Sequence, residues 1–133
     1  MKTLADDLAR ACELLPGRFK MEDSYRAQWF KATYDGKAEY VYTVEFLADG
    51  QTCEGWGMVG NRQAHLEYAC REEIEARGWR WGAGTLSGCD GFQAVAMVTV
   101  GDKSETVELA EEYATTPAHA LLLALLSAVE GEG

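Results

Sequence analysis

GFQAVAMVTV, residues 91 to 100, is the stretch of sequence that decides the fold. Its small and apolar residues alternate onto both sides of an extended backbone. One side takes Ala94, Ala96, Val98 and Val100, and the other takes Val95, Met97 and Thr99. Successive side chains of a strand point to opposite faces of a sheet, so a strand that is apolar on both sides has no face suited to solvent exposure. The stretch therefore predicts a central strand with other elements packed on both of its faces.

Further strands are predicted on either side of this central strand. Downstream, a turn at residues 101–102 returns the chain as a strand over 105–110, through a loop of two or four residues. Upstream, Asp35-Gly36 separates two strand-like runs and suits a type I′ turn, which needs positive φ at both central residues. A two-residue loop there would place Lys31 opposite Tyr40, and Phe30 opposite Val41. One more strand is expected over residues 52–59, and another begins near Trp79.

Three helices are predicted to cover these strands. An apolar stripe with helical spacing runs over residues 3–15 and stops at Pro16-Gly17, and a second helix over 61–77 stops at Gly78. The third begins at Thr116-Pro117 and is rich in leucine. Together, strands and helices predict a single α+β domain over residues 1–133. Its core would be a mostly antiparallel sheet of five or six strands with helices on both faces, in α-β-α layers.

The composition favours a soluble cytoplasmic protein. The chain has 133 residues and a formal net charge of −10, and no run approaches the ~18 apolar residues of a membrane span. Acidic residues near the N-terminus (Asp6, Asp7 and Glu13) interrupt any apolar stretch that could serve as a secretory signal. The four cysteines contain no C-x-x-C pair, which favours reduced thiols over a metal site or a disulfide framework. No cofactor is predicted.

The negative charge is concentrated in the second part of the chain. Residues 81–133 hold eight acids and one base, Lys103. The densest acidic set, here called the acidic segment, is Glu105, Glu108, Glu111 and Glu112. Such a surface repels phosphate backbones, so direct nucleic-acid binding is disfavoured. Two interpretations stay open. The glutamates are either solvated charges that keep an edge strand from pairing with another chain, or a docking surface for a basic partner.

Tryptophans near glycines suggest a second candidate site. Trp56, Trp79 and Trp81 would be core residues in the simplest interpretation, and would line a ligand pocket if their side chains were exposed together. The glycines that follow Trp81 do not open a helix, so a phosphate cradle is disfavoured. Neither His65 nor His119 lies in a recognisable triad or H-E-x-x-H setting, and no catalytic residue is predicted.

Three segments carry a resemblance to a known family. They are LARACELLPG (residues 8–17), EARGWRWG (75–82) and EYATTPAHALLLALLSAVE (112–130). Together they resemble the phage ABA sandwich domain family of small bacteriophage and prophage proteins, over about a third of the chain, and residues 25–75 are not matched. The resemblance implies helices on both faces of a sheet and a phage or prophage origin. It implies no catalytic residues.

These observations favour a non-catalytic accessory protein of a phage or prophage. It would act in the host cytoplasm by binding a host protein or complex with a basic surface, without membrane contact. Its sharpest form is an antagonist of a host defence complex, comparable to an anti-CRISPR protein. The alternatives are a small-molecule or nucleotide-binding protein, or a minor enzyme, that uses the Gly/Trp-rich region, and an oligomeric structural component whose partner is a second copy of the chain.

Overall fold

The computed structural model describes residues 4–55, 62–88, 91–110 and 117–132, which form a mixed α+β structure. The helices are α1 (Leu4–Leu14), α2 (Arg62–Ala76) and α3 (Pro117–Glu132). The strands are β1 (Phe19–Asp23), β2 (Ala27–Tyr34), β3 (Lys37–Phe46), β4 (Thr52–Gly55), β5 (Arg80–Gly88), β6 (Gly91–Val100) and β7 (Lys103–Ala110). The chain divides into two compact units, Met1–Ala69 and Cys70–Gly133, with the boundary inside α2. The single-domain assignment stays a prediction.

The first unit contains a four-stranded antiparallel sheet with the order β1-β2-β3-β4. Helix α1 packs on β1 and β3, and its stripe of Leu4, Leu8 and Ala11 is buried. Strand β1 was not predicted. Only its first residue, Phe19, is buried and the other four are exposed, so it carries no apolar alternation that would mark a strand.

The β2–β3 hairpin confirms the predicted turn and corrects the predicted register. Both turn residues have positive φ, 52° at Asp35 and 74° at Gly36, as a type I′ turn requires. Lys31 lies opposite Tyr40, as predicted, but Phe30 lies opposite Tyr42 because the register shifts between Phe30 and Lys31. The predicted pairing of Phe30 with Val41 is therefore wrong. The irregularity inserts one residue into β3, and both Val41 and Tyr42 are buried as a result.

The positive φ of Gly36 gives a test of this turn. Gly36→Ala is expected to lower the free energy of unfolding by about 1–2 kcal/mol, since a Cβ disfavours the left-handed region. Urea unfolding followed by circular dichroism measures the change. Gly17→Ala is the control, because Gly17 has no positive φ and an added Cβ there meets nothing within 4 Å. Equal losses in the two variants would contradict the turn assignment.

The second unit contains a three-stranded antiparallel sheet with the order β5-β6-β7. Val100 pairs with Lys103, which shows that the β6–β7 loop has two residues. Helix α3 packs on all three strands. Three small or branched residues of β6 are buried, Ala94, Ala96 and Val98, and α3 contributes fully buried leucines at positions 121, 122, 125 and 126.

Two fold predictions are wrong. The strands form two sheets, of four and three strands, rather than one sheet of five or six. Strand β6 is not buried on both faces either: Met97 is 41% exposed and Val95 is only half-buried. Alternation tells which side chains are apolar, but it does not tell whether another layer covers them. Consecutive strands joined by short turns also pair locally, which allows each half of the chain to form its own sheet.

Candidate functional site

The acidic segment begins on an edge strand. Glu105 and Glu108 belong to β7, which is the last strand in the order β5-β6-β7. Glu105 pairs in register with Val98, and Glu108 pairs with Val95. Because these partners are three positions apart on β6, the two register rows belong to opposite faces of the sheet. The structure thus places both residues on one edge but not on one face. Glu111 and Glu112 lie outside the described residues.

The described tryptophans of the predicted ligand pocket each lie against an arginine. Trp79 is 8% exposed, and the Arg77 guanidinium carbon lies 5.0 Å from its ring centroid. Trp81 is half-buried, with the Arg71 guanidinium 4.6 Å from its ring centroid. Such cation–π contacts contribute about 0.5–1 kcal/mol at exposed sites. Trp56 lies outside the described residues, so a pocket formed by all three tryptophans stays a prediction.

Two glutamates of α2 complete this Arg–Trp arrangement. The indole N–H of Trp81 donates a hydrogen bond to Glu75 Oε1 at 3.2 Å, and Arg77 Nε lies 2.6 Å from Glu73 Oε2. Glu73 belongs to α2, and Arg77 directly follows its last residue, so this i, i+4 pair lies at the end of the helix. Arg71 and Glu75 of α2 therefore contact Trp81 of β5, and Arg77 contacts Trp79 in the connection between the helix and the strand. These contacts explain Trp79 and Trp81 as structural residues where the chain passes from α2 to β5.

A tyrosine–histidine pair in the first unit was missed by sequence reasoning. Tyr34 Oη lies 2.7 Å from His65 Nδ1, and the two rings stack with their centroids 5.7 Å apart. Tyr68 adds a tilted ring 5.4 Å from that of Tyr34. The pair joins the end of β2 to α2, 31 positions apart, and no local motif marks such a contact. Only a correct placement of α2 beside the Asp35-Gly36 hairpin could have found it.

The Tyr34 hydroxyl has a raised pKa. Partial burial raises the pKa of its hydroxyl, and the nearby carboxylate of Glu39 raises that pKa further. The hydroxyl therefore stays protonated at neutral pH and is a poor nucleophile or general base. A protonated tyrosine hydroxyl can donate or accept, so the bond between Tyr34 and His65 forms with either tautomer of the neutral imidazole ring. The contact between Tyr34 and His65 therefore holds the β2–β3 hairpin against α2, and its geometry does not indicate proton transfer.

A second charged cluster lies on exposed strands of the first sheet. Lys31 Nζ lies 2.6 Å from Glu22 Oε1, the Tyr40 hydroxyl donates to Glu22 Oε2 at 3.1 Å, and Lys31 Nζ lies 4.7 Å from the Tyr40 ring centroid. The hydrogen bond from Lys31 lowers the pKa of Glu22 and raises the pKa of Lys31. These contacts join three neighbouring strands. Solvent-exposed pairs of this kind contribute little to stability, and their geometry indicates no reaction.

The described cysteines are free thiols. Burial raises the pKa of Cys12 to about 11, with the charge of Glu13 adding to the effect. Cys12 is therefore a weak nucleophile at neutral pH, since the thiolate is the reactive form. Cys70 is buried, Cys53 is exposed, and Cys89 lies outside the described residues. Among the residues that the structure describes, no three His, Cys, Asp or Glu side chains are grouped so that they could hold a metal ion.

One face of the three-stranded sheet includes Met97 and is here called the open face. It consists of three register rows: Arg80–Thr99–Ser104, Gly82–Met97–Thr106 and Gly84–Val95–Glu108. Of the eight residues in these rows whose side-chain surroundings are described, four are exposed, four are half-buried and none is buried. The opposite face includes the buried β6 residues Ala94, Ala96 and Val98. The two sides of one strand thus differ sharply in exposure.

No helix within the described ranges is both long and apolar enough to cross a membrane. Comparison of the chain with protein-family models, with curated proteins and with solved structures finds no match.

Proposed function

We propose that the chain is a non-catalytic accessory protein of a phage or prophage that binds a host macromolecule through the acidic segment. One observation supports this most directly: β7, which carries Glu105 and Glu108, is an edge strand of its sheet. Within the described residues, β7 has a neighbouring strand on one side only, so the backbone groups along its other side can pair with a partner. The residues described at 101–104 and 106 are all exposed, in agreement with an accessible edge.

Charge defines the chemistry of the partner. Eight acids and a single base lie between residues 81 and 133, so this half of the chain attracts a basic surface and repels nucleic acid. Charged patches mainly raise the rate of association and select among partners, and both effects weaken as salt rises. A host surface that normally takes nucleic acid is basic, so occupation of such a surface by the acidic segment would block it. The proposed partner is therefore a host protein complex, and the proposed effect is antagonism of host defence.

The resemblance to phage ABA sandwich proteins supports the phage origin in this proposal. It adds no catalytic residue. The hydrogen bonds of Tyr34 and Trp81 are explained by local structure. The partner is proposed to be recognised by its positive charge and not by a chemical reaction.

Charge reversal tests the proposal. One variant replaces the four glutamates of the acidic segment by lysine. A control variant makes the same charge change in the first unit, at Asp23, Glu39, Glu45 and Glu54. The wild type, the variant and the control are each immobilised and incubated with bacterial host lysate in 50 mM and 500 mM salt, and the captured basic proteins are quantified by mass spectrometry.

The reversal of the acidic segment is expected to reduce the captured amount at least tenfold, whereas the control retains most of it. High salt is expected to reduce capture by the wild type, because screening weakens attraction between exposed charges. Equal losses in both variants would show that only net charge matters. Unchanged capture by the first variant would rule out the acidic segment as the docking surface.

A further inference from the structure

The outer edge of β1 carries backbone groups that no described strand uses. β1 is the first strand in the order β1-β2-β3-β4, so within the described residues it has a neighbouring strand on one side only. Four of its five residues, from Lys20 to Asp23, are exposed. An edge of this kind can add a strand from another chain unless its side chains prevent it. The backbone and the charges of β1 therefore determine what can pair there.

The hydrogen bonds at both ends of the β1–β2 ladder show which residues of β1 point outward. At one end, the Thr33 N–H donates to the Arg18 carbonyl at 2.8 Å. At the other end, the Ser24 N–H donates to the Ala27 carbonyl at 2.9 Å. Hydrogen-bonded and non-hydrogen-bonded pairs alternate along an antiparallel ladder, so both ends place the even-numbered residues of β1 in hydrogen bonds with β2. The N–H and C=O groups of Met21 consequently point to the outer edge, at the middle of the strand.

The side chains on either side of Met21 have a two-fold charge pattern. Lys20 precedes Met21 and Glu22 follows it, and both charged side chains are exposed. In an antiparallel pair of two β1 strands with a two-fold axis at Met21, Lys20 of each copy lies opposite Glu22 of the other. Opposite charges attract in such cross-strand positions, and the symmetry makes the pair occur twice. Charges that deter most strands from an edge therefore favour a second copy of this strand.

The contacts of Glu22 within one chain leave it able to accept this second lysine. Its carboxylate contacts Lys31 at 2.6 Å and the Tyr40 hydroxyl at 3.1 Å, yet the side chain remains 51% exposed. A carboxylate accepts about four hydrogen bonds. Lys20 lies opposite Lys31 in the β1–β2 register, so each chain places two lysines beside one glutamate. Pairing gives Lys20 the carboxylate of the second copy, while Lys31 keeps that of its own chain.

We propose that two copies of this chain pair edge to edge through antiparallel β1 strands, with a two-fold axis at Met21. The two Met21 residues exchange N–H···O=C hydrogen bonds across the axis, and the Asp23 N–H of each copy donates to the Phe19 carbonyl of the other. The two four-stranded sheets then form one continuous sheet. Strands of five residues bury less area than a standard interface, so the dimer is weak, with a dissociation constant of about 100 µM. It does not depend on the acidic segment, which begins on the other sheet.

A charge swap tests the register of this dimer. Sedimentation equilibrium from 10 µM to 1 mM measures the association, with a reductant present so that the exposed Cys53 stays a thiol. The wild type is expected to show a reversible monomer–dimer equilibrium. Lys20→Glu and Glu22→Lys each place like charges opposite one another twice, and each is expected to weaken the dimer by about fivefold or more. The double variant restores opposite charges at the same positions, so its affinity is expected to return to within about threefold of the wild type.

Net charge alone would give a different result. Lys20→Glu makes each copy more negative and Glu22→Lys makes it less negative, so general repulsion would change in opposite directions. Lys37→Glu is the matched control, because Lys37 is an exposed lysine of β3 in the same sheet, away from the β1 edge. An equal loss in Lys37→Glu, a tighter dimer in Glu22→Lys, or a double variant as weak as the single variants overturns the proposed register. A wild type that stays monomeric at 1 mM overturns the dimer itself.

Met21→Pro tests the backbone pairing. The outward N–H of Met21 takes no part in the β1–β2 ladder, and proline is tolerated on an edge strand where the N–H faces outward. The dimer, however, loses both hydrogen bonds at the axis and is expected to weaken by about tenfold or more. Urea unfolding reports whether the variant keeps its fold. A folded Met21→Pro variant that dimerises as strongly as the wild type overturns the pairing, and the charge variants, which change only exposed side chains, decide the matter if the proline unfolds the chain.

Discussion

Replacing Leu125 by alanine is expected to lower the free energy of unfolding by about 2–5 kcal/mol. Leu125 is 0% exposed in α3, the helix that packs on all three strands of the second unit. The substitution removes apolar burial and leaves a cavity, because neighbouring side chains relax only partly into the vacated space. α3 supplies four fully buried leucines to this unit, so a loss at the upper end would approach the whole stability of a typical domain of this size.

Urea unfolding, followed by tryptophan fluorescence and circular dichroism, measures the effect. Leu123→Ala is the control, since Leu123 lies in the same helix but is only half-buried. Its loss is expected to be about half as large or less, because less apolar surface leaves the core. Similar losses at the two positions would mean that α3 presents a different side to the sheet.

Phe30→Ala is expected to cost about 3–5 kcal/mol, the usual range for removing a fully buried aromatic side chain. Phe30 is buried in β2, where it pairs with Met21 of β1 and Tyr42 of β3. It also adjoins the register shift of the β2–β3 hairpin. The substitution therefore removes packing at the point where the ladder is already irregular.

Phe46→Ala is the matched control for this prediction, because Phe46 is 41% exposed at the end of β3. We expect its loss of stability to stay near 1 kcal/mol, as for most exposed positions. Thermal and urea unfolding of both variants give the comparison. A loss at Phe30 no larger than that at Phe46 would place Phe30 outside the core and would contradict the assigned register.

Local chemistry made much of the secondary structure predictable. Asp35-Gly36 predicted its turn because few other residues accept positive φ. Pro117 begins α3 as expected, because the backbone N–H that proline lacks has no partner at the first position of a helix. Gly78 likewise has positive φ just past the end of α2. In each case the signal depends on the backbone preference of one or two residues.

Features that depend on distant contacts were not predictable. The register shift at Phe30 leaves both Val41 and Tyr42 buried, and the two-residue turn alone does not reveal it. The separation into two sheets and the exposure of Met97 depend on which surfaces meet. Among candidate sites, the acidic segment was visible as charge, but its division between two faces required the register of β7 with β6.

The sheet order also bears on how the chain folds. Among the described residues, each strand pairs with strands that adjoin it in sequence, so most of this backbone pairing closes short loops. Closing a short loop costs little chain entropy, and proteins with a low contact order fold quickly. Each hairpin can therefore form early and on its own during folding, while the long connection that contains α2 is not needed to align any strand.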